Sequence, residues 1–412
     1  EVLRQTFGSA ARYPEFVVLD SIVPDWVQAV TEGIDPARTL FLVSSKSGGT
    51  PETNSLYKYF RNLVEKTVGK ERAGQNFVAI TDAKTSLAQL AEKAGFRRVF
   101  LNPSDVGGRY SVLSFFGLVP AALMGIDLKA LLDRANNLRG RCASSVPAQR
   151  NPGARLGATI GALAGRGRDK LTLITSPSIS SFGLWLEQLL AESTGKEGKG
   201  VIPSVGEPLE TPSYYGGDRL FVCLRLEGDD NSALDAAIEG IKSSGQPVIA
   251  LELPDRYDLG AEFFRWEFAT AVVGAILGIN PFDQPNVQAA KEATKRVLLE
   301  YQASGHLPAV EVSDSLKRLL AESRKGDYFA IMLYMRQTPE LEQALAGLRG
   351  KVMEKYHIVT TAGYGPRLLH STGQLHKGGP NTGLFLQITT DYKRDLPIPG
   401  EPYTFAALAD AQ

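Results

Sequence analysis

The sequence has little cysteine and no excess of charge of either sign. Its 412 residues include two cysteines, Cys142 and Cys223, which lie far apart and leave no basis for a disulfide framework or a thiolate metal site. The 45 basic and 45 acidic residues cancel, so any anion-binding site must be local. We therefore expect a cytoplasmic protein with no nucleic-acid or membrane partner.

Long apolar runs and an initiator methionine are also missing. The longest apolar stretch, residues 269–279, is too short to cross a bilayer as a helix. Glu1 stands at the start of a segment that already reads as a helix running toward Phe7. We therefore expect a segment upstream of Glu1 and a first domain that is N-terminally truncated.

From Phe16 onward, short β-rich runs alternate with longer amphipathic runs, the pattern of βαβ units around a parallel sheet. The chain length suits two or three domains. We expect an α/β fold with two similar domains, at 1–150 and 151–306, and a smaller α/β C-terminal extension at 307–412. The predicted strands are 16–19, 40–43, 77–81, 98–101, 171–175, 220–224, 248–253, 328–334, 357–361 and 384–389.

Residues 44–53 form the densest group of candidate anion ligands. Two glycines permit a turn between a buried strand and a helix that Pro51 and Glu52 open, and the first amides of such a helix have no helical acceptor. The spacing is neither that of a P-loop nor Gly-x-Gly-x-x-Gly. The segment predicts a site for a small phosphorylated metabolite, and the alternative is an ordinary Ser/Gly loop that caps a helix. The hydroxyls available are Ser45, Ser47, Thr50 and Thr53.

Gln188 and Glu192 are four residues apart and share one face of a predicted helix that stops at Gly195. A partly desolvated carboxylate at a helix end can serve as a general base. The alternative interpretation is a solvated Glu192 that pairs with Lys196.

Two weaker candidates complete the set. Gly107 and Gly108 precede Arg109, where a backbone can approach a ligand and the arginine can reach an oxyanion. The turn at 280–285 closes an apolar helix and is followed by Lys291, which by itself is more typical of a surface lysine than of a catalytic one.

Together, these four motifs resemble those of the glucose-6-phosphate isomerase family, in this order and over roughly residues 16–298. The resemblance implies two sugar-isomerase (SIS) domains with parallel sheets in a three-layer α/β/α arrangement. It implies that Gln188 and Glu192 face the substrate carbons, that Arg109 steadies an enediolate and that Lys291 assists at the ring oxygen. The residues that it implies for the sugar phosphate are Ser45, Lys46, Ser47 and Thr50.

The implied reaction interconverts glucose 6-phosphate and fructose 6-phosphate in glycolysis and gluconeogenesis. The sugar ring opens, Glu192 takes the C2 proton of the aldose and returns it to C1, and Arg109 stabilises the negative charge between these steps. No metal, nucleotide or other cofactor is expected.

The sequence departs from the family pattern in its histidines. The resemblance implies an active-site histidine between the glutamate and lysine motifs, contributed across a dimer interface, yet this sequence has none between Glu192 and Lys291. The best substitute is His370 in the C-terminal extension, followed by a Gln-Leu pair as in the family segment. We assign ring opening to His370, with a loop histidine as the alternative, and keep His376 as a neighbour only.

Other functions remain open at this point. A dual isomerase that also accepts mannose 6-phosphate, a non-catalytic sugar-phosphate-binding module and a structural domain of a larger fusion all fit parts of the pattern. The family's Gly- and Ser-rich strand end before the first helix is missing. The extended tail resembles bacterial variants in which the isomerase is fused behind a transaldolase, and the family favours a homodimer.

Overall fold

The computed structural model describes residues 1–308, 315–392 and 394–412. Within these residues the strands form three sheets, in which all paired neighbours are parallel. The predicted α/β class with parallel sheets is therefore confirmed. The helices of the described residues are α1 (Val2–Phe7), α2 (Pro24–Gly33), α3 (Pro51–Val68), α4 (Lys70–Ala73), α5 (Ser86–Lys93), α6 (Phe115–Leu123), α7 (Leu128–Arg141), α8 (Pro152–Ala164), α9 (Phe182–Thr194), α10 (Ser232–Ser243), α11 (Leu259–Leu277), α12 (Pro285–Ser304), α13 (Leu316–Ala321), α14 (Pro339–Tyr356), α15 (Gly373–Gly378) and α16 (Phe405–Ala411).

The first sheet has the order β1 (Phe41–Ser44), β2 (Phe77–Asp82) and β3 (Arg98–Asn102). Every residue of β2 is buried, as expected for a central parallel strand covered on both faces. The carboxyl ends of parallel strands meet at one edge, so β1 delivers the segment that follows Ser44 to the edge where β2 ends.

The second sheet has the order β5-β4-β6-β7 and carries the largest hydrophobic core. Its strands are β4 (Lys170–Thr175), β5 (Ile202–Ser204), β6 (Arg219–Leu226) and β7 (Val248–Leu253). Helices α8, α9 and α11 supply much of this core, including the fully buried rings of Phe182, Phe263 and Trp266. Helix α9 is therefore held along most of its length, and its last turn is fixed against the sheet.

The third sheet has the order β10-β8-β9 and lies against α9 and the second sheet. Its strands are β8 (Tyr328–Tyr334), β9 (Val359–Tyr364) and β10 (Gly383–Thr389). Tyr328 and Val359 pack with Ala191 of α9, Ile202 of β5 and Leu375 of α15 in one buried cluster. The C-terminal extension is thereby fixed next to the end of α9.

A buried polar network also joins the second and third sheets. Arg219 of β6 pairs with Glu207, and Glu207 Oε1 accepts hydrogen bonds from the backbone N–H (2.8 Å) and the hydroxyl (3.0 Å) of Thr360 in β9. Arg349 of α14 donates to Thr360 Oγ1 (2.9 Å) and to the carbonyl of Gly206 (2.8 Å). Arg219 is fully buried, so the Glu207 carboxylate is the counter-charge that compensates the burial of its guanidinium.

The predicted strands differ from the observed ones in two places. Residues 16–19, a predicted strand, have no regular structure, because Phe16 packs on the core of the second sheet while Leu19 packs on a separate cluster around α3 and α16. Strand β5 is not among the predicted strands, since its three residues include Pro203 and carry no alternating pattern. The three sheets fall within the three predicted segments, and the boundaries at 150 and 306 stay a proposal.

We predict that Glu207→Gln lowers the free energy of unfolding by about 3 kcal/mol, because it leaves the buried Arg219 without a counter-charge. Urea denaturation followed by tryptophan fluorescence measures the loss. Asp133→Asn is the control: it breaks an ion pair with Lys129 whose side chains are 56% and 84% exposed, and it should change stability by less than about 0.5 kcal/mol. Equal effects of the two substitutions would contradict the assignment.

Candidate active site

The loop between β1 and α3 is held by its own hydroxyl groups. Ser45 Oγ accepts the N–H of Gly48 (3.1 Å) and lies 2.9 Å from Thr50 Oγ1, while Ser47 Oγ accepts the N–H of Gly49 (3.3 Å). Thr50 is the N-cap residue of α3 and makes no side-chain cap bond, so the first amides of an 18-residue helix open onto the loop. This geometry is that of an anion-binding loop at a helix N-terminus.

Lys46 ties together the ends of the three strands of the first sheet. Its ammonium group forms an ion pair with Asp82 at the end of β2 and donates to the carbonyl of Ser104, just beyond β3 (2.9 Å). The lysine charge is therefore already balanced by a carboxylate. The loop hydroxyls and helix amides are left as the groups with unused capacity for an anion.

Glu192 lies in the last turn of α9 and is largely buried against Arg109, whose side chain is 1% exposed. Arg109 Nη1 is 3.1 Å from Glu192 Oε1, and Gln188 Nε2 donates to Glu192 Oε2 (3.2 Å). Burial raises the pKa of Glu192, and the charge of Arg109 and the Gln188 hydrogen bond oppose that rise. The structure therefore brings these three predicted residues together.

Arg109 also holds the turn that precedes α12. Its Nη2 donates to the carbonyls of Pro281 (2.7 Å) and Asp283 (2.9 Å), and its Nη1 donates to Gln284 Oε1 (3.0 Å). Lys196, which is 3% exposed, donates to the carboxylate of the same Asp283 (2.7 Å). Two buried cations thus anchor the 280–285 turn beside Glu192, and burial lowers the pKa of Lys196.

His370 reaches the site from the C-terminal extension. Its Nε2 lies 2.8 Å from Oε1 of Glu52 in the first turn of α3, and its carbonyl accepts a hydrogen bond from Gln188 Nε2 (2.9 Å). Gln412 Nε2 also donates to Glu52 Oε1 (2.7 Å). Burial acts to raise the pKa of Glu52, but these partners hold that pKa below its ordinary value, so Glu52 is an ionised partner for the imidazole.

A continuous set of contacts therefore runs from the loop to the turn. It passes from Glu52 to His370, from the His370 carbonyl to Gln188, then to Glu192 and Arg109. Sequence reasoning identifies four of these residues but treats Glu52 only as a helix-opening residue. An acidic side chain directly after an anion loop, in a chain with few histidines, is the signal that could have suggested an imidazole partner.

Two predicted residues lie outside both the anion loop and this set of contacts. Lys291 is exposed on α12 and has no hydrogen bond or ion pair with the residues that the structure describes. His376 is partly buried between the rings of Tyr328 and Phe385, and desolvation lowers its pKa to about 4. His376 is therefore a neutral packing residue, in line with its assignment as a neighbour only.

The described residues contain no group of three or more His, Cys, Asp or Glu side chains arranged to hold a metal ion. None of the helices in the described ranges has the length and apolar character needed to cross a membrane.

We predict that Gly48→Ala lowers the free energy of unfolding by about 2 kcal/mol, since Gly48 has a φ of +68° and an added Cβ would lie 2.8 Å from the backbone N of Leu87. Gly49→Ala is the matched control, because a Cβ at Gly49 meets no atom within 4 Å. Thermal unfolding of both variants measures the difference. A Gly48 variant as stable as the Gly49 variant would show that the loop is not held in this conformation.

Comparison with known proteins gives one consistent family. The family model for phosphoglucose isomerase matches residues 3–202, which include the anion loop, Arg109, Gln188 and Glu192. A glucose-6-phosphate isomerase of Staphylococcus saprophyticus is 31% identical over 331 residues, covering 71% of this chain and 74% of the relative. One from Symbiobacterium thermophilum is 33% identical over 307 residues, covering 65% and 68% respectively.

Solved structures show a similar fold. A hypothetical protein from Thermus thermophilus superposes with a TM-score of 0.65 and 27% identity, covering 72% of this chain and 80% of its own. A glucose-6-phosphate isomerase from Chlamydia trachomatis superposes with a TM-score of 0.60 and 18% identity, covering 78% and 69%, and this likeness concerns the fold alone.

Proposed function

Because the chain belongs to the phosphoglucose isomerase family, we propose that it is an aldose–ketose isomerase that interconverts glucose 6-phosphate and fructose 6-phosphate. The observation that carries the proposal is the buried carboxylate of Glu192, held 3.1 Å from Arg109 Nη1 at the end of α9. A base with a raised pKa beside a fixed cation is what proton transfer through an enediolate requires.

In the proposed mechanism, the anion loop holds the phosphate of the sugar. The ligands are Ser45, Ser47 and Thr50 together with the first amides of α3, and Lys46 fixes the loop to the sheet through Asp82. Placing the phosphate here leaves the sugar carbons to extend toward Glu52, His370 and Glu192, which the observed contacts hold in series.

Ring opening is assigned to His370 and Lys291. The imidazole can give a proton to the ring oxygen, and Glu52, whose pKa is held below its ordinary value, orients the imidazole through the 2.8 Å contact at Nε2. Lys291 is the proposed assisting group at the ring oxygen, and its role rests on the family resemblance.

Isomerisation is assigned to Glu192. Its carboxylate takes the proton from C2 of the open-chain aldose and delivers it to C1, while the guanidinium of Arg109 stabilises the negative charge of the enediolate. Gln188 keeps the carboxylate oriented through its 3.2 Å hydrogen bond. Burial favours the protonated form of Glu192, so the carboxyl group can both accept the proton and return it.

The proposal extends to assembly and location. The family resemblance supports a homodimer, the low cysteine content supports a cytoplasmic location, and the extended tail resembles bacterial variants fused behind a transaldolase. A sedimentation measurement on the 412-residue chain tests the homodimer directly.

We predict that the wild-type chain converts fructose 6-phosphate to glucose 6-phosphate in an assay coupled to a dehydrogenase with EDTA present. Glu192→Gln should lower kcat about 10³-fold, because it removes the base. The same variant should still bind 6-phosphogluconate in calorimetry, since the anion loop is intact. Glu197→Gln, an exposed glutamate just beyond the same helix, is the control and should keep full activity.

The outcomes of this experiment separate the competing functions. Sugar-phosphate binding without turnover in the wild type would identify a binding module. Full turnover in the Glu192 variant would overturn the assignment of the base.

We also predict a specific pH dependence. A base must be ionised, so kcat/KM falls as pH drops through the pKa of Glu192, and burial moves this fall above the pH of an ordinary carboxyl group. Gln188→Leu removes a hydrogen bond that favours the ionised form, so the acidic midpoint of kcat/KM should move to still higher pH. A midpoint that stays in place or moves down in this variant would contradict the role of Gln188.

A further inference from the structure

We infer that Lys196 is a positioning residue for the pair formed by Glu192 and Arg109. Its ammonium group fixes the 280–285 turn to the end of α9, and that turn in its turn holds the guanidinium of Arg109. The inference deepens the proposed function and rests on it for the roles of Glu192 and Arg109. The arrangement of charge within it can be measured without turnover.

The backbone of Lys196 is fixed in a tight reverse turn just beyond the end of α9. Its N–H donates to the carbonyl of Lys199 (3.0 Å), and the N–H of Lys199 donates back to the carbonyl of Lys196 (2.9 Å). The two residues between them, Glu197 and Gly198, have φ values of +55° and +72°, as such a turn requires. The base of the Lys196 side chain is therefore held at a set distance from Glu192, four residues earlier.

The ammonium group of Lys196 is fully used by the 280–285 turn. An ammonium group has three N–H donors, and the turn supplies three acceptors. These are the carbonyl oxygens of Asn280 and Asp283 and, at 2.7 Å, the carboxylate of Asp283. Lys196 is therefore not expected to bind the sugar, and its effect on the reaction must pass through the groups that it holds.

The carbonyl oxygen of Asp283 joins the two buried cations. It accepts one hydrogen bond from Lys196 Nζ and another from Arg109 Nη2 (2.9 Å), which uses both of its lone pairs. The other terminal nitrogen of Arg109, Nη1, lies 3.1 Å from Glu192 Oε1. Lys196 thus fixes an oxygen that fixes the guanidinium, and the guanidinium contacts the base.

Lys196 also adds positive charge near the base. Burial raises the pKa of Glu192, and four groups oppose that rise: Arg109 after β3, Gln188 on the same helix, His370 in the C-terminal extension, and Lys196. Because a cation favours the ionised carboxylate, loss of the Lys196 charge should raise the pKa of Glu192 further.

A purely structural role is the alternative, in which the ion pair of Lys196 with Asp283 only stabilises the fold. The two members of this pair carry opposite charges, so each can be removed separately. The side chain of Asp283 is 54% exposed, and Asp283→Asn keeps an oxygen that can accept from Lys196. A structural role predicts similar effects of the two losses, whereas a role through charge predicts different ones.

The first experiment measures the acidic midpoint of kcat/KM in two variants. Lys196→Met removes the cation, so the midpoint should rise by about half a pH unit or more. Asp283→Asn removes a negative charge, which favours the ionised form of Glu192, so the midpoint should stay in place or fall. An unchanged midpoint in Lys196→Met, or an equal rise in both variants, would overturn the inference.

The same kinetics separate positioning from substrate binding. Lys196→Met should lower kcat about 10-fold and leave the calorimetric affinity for 6-phosphogluconate within about twofold, because the anion loop belongs to a different sheet. A loss of affinity with kcat unchanged would contradict the inference.

Lys199→Met is the matched control. Lys199 lies in the same reverse turn, is exposed, and donates to the carbonyl of Leu277 (2.8 Å). This variant should keep kcat within about twofold of the wild type and leave the midpoint in place, since an exposed polar contact contributes little. A midpoint shift as large as that of Lys196→Met would show that the effect is not specific to the buried lysine.

The second experiment does not depend on activity. Carbon-13 NMR of chains labelled at the glutamate carboxyl carbons gives the pKa of Glu192 directly, and Glu192→Gln assigns its signal. The pKa should be higher in Lys196→Met than in the wild type and should not rise in Asp283→Asn. The exposed substitution keeps the test open if Lys196→Met does not fold, because a raised pKa in Asp283→Asn would overturn the inference by itself.

The two experiments distinguish failure of this inference from failure of the proposed function. A wild type that lacks turnover but shows a Lys196-dependent pKa of Glu192 would remove the proposed function and leave the electrostatic role of Lys196 established. An active wild type whose pH profile is matched by Lys196→Met would leave the function in place and overturn the inference.

Discussion

The buried contact between Glu207, Arg219 and Thr360 is the constraint on which the candidate site depends. Two sheets separated in sequence by helices α11 to α13 meet through one carboxylate, which pairs with a fully buried arginine on β6 and accepts a backbone N–H of β9. A buried charge is unfavourable without a counter-charge, so the pairing of Arg219 with Glu207 favours one docking geometry among the many that an apolar interface would allow. The position of His370 follows from that geometry.

Within the site, the pKa values of two buried glutamates shift in opposite directions. Glu192 has one cation and one amide as partners, and burial prevails and raises its pKa. Glu52 meets an imidazole and the Gln412 amide at one oxygen, and these partners prevail over burial and lower its pKa. Carboxyl groups whose pKa values are separated by their surroundings can take different roles at one pH. The proposed mechanism uses this separation: Glu192 exchanges a proton, and Glu52 stays charged.

The sequence predicts features that depend on residues close together in the chain and misses those that depend on distant ones. The anion loop and the face shared by Gln188 and Glu192 depend on neighbours a few residues away, so local glycines and helical spacing are enough to place them. The contact between Glu52 and His370 spans 318 residues, and no local pattern encodes it. The predicted strand at 16–19 is absent for a related reason, because strand-like residues form a strand only where a neighbouring strand accepts them.

The ion pair of Lys46 changes what the anion loop can be expected to do. With its ammonium group held by Asp82 and the Ser104 carbonyl, the lysine stabilises the end of the first sheet, and the remaining groups of the loop are neutral hydroxyls and amides. Such groups bind a phosphate through direction and number of hydrogen bonds more than through charge. A loop of this kind holds one end of the sugar firmly in place and leaves the fixed charges, Glu192 and Arg109, for the carbons that react. The separation of binding and reacting groups explains why both the loop and the docked extension are needed to define one site.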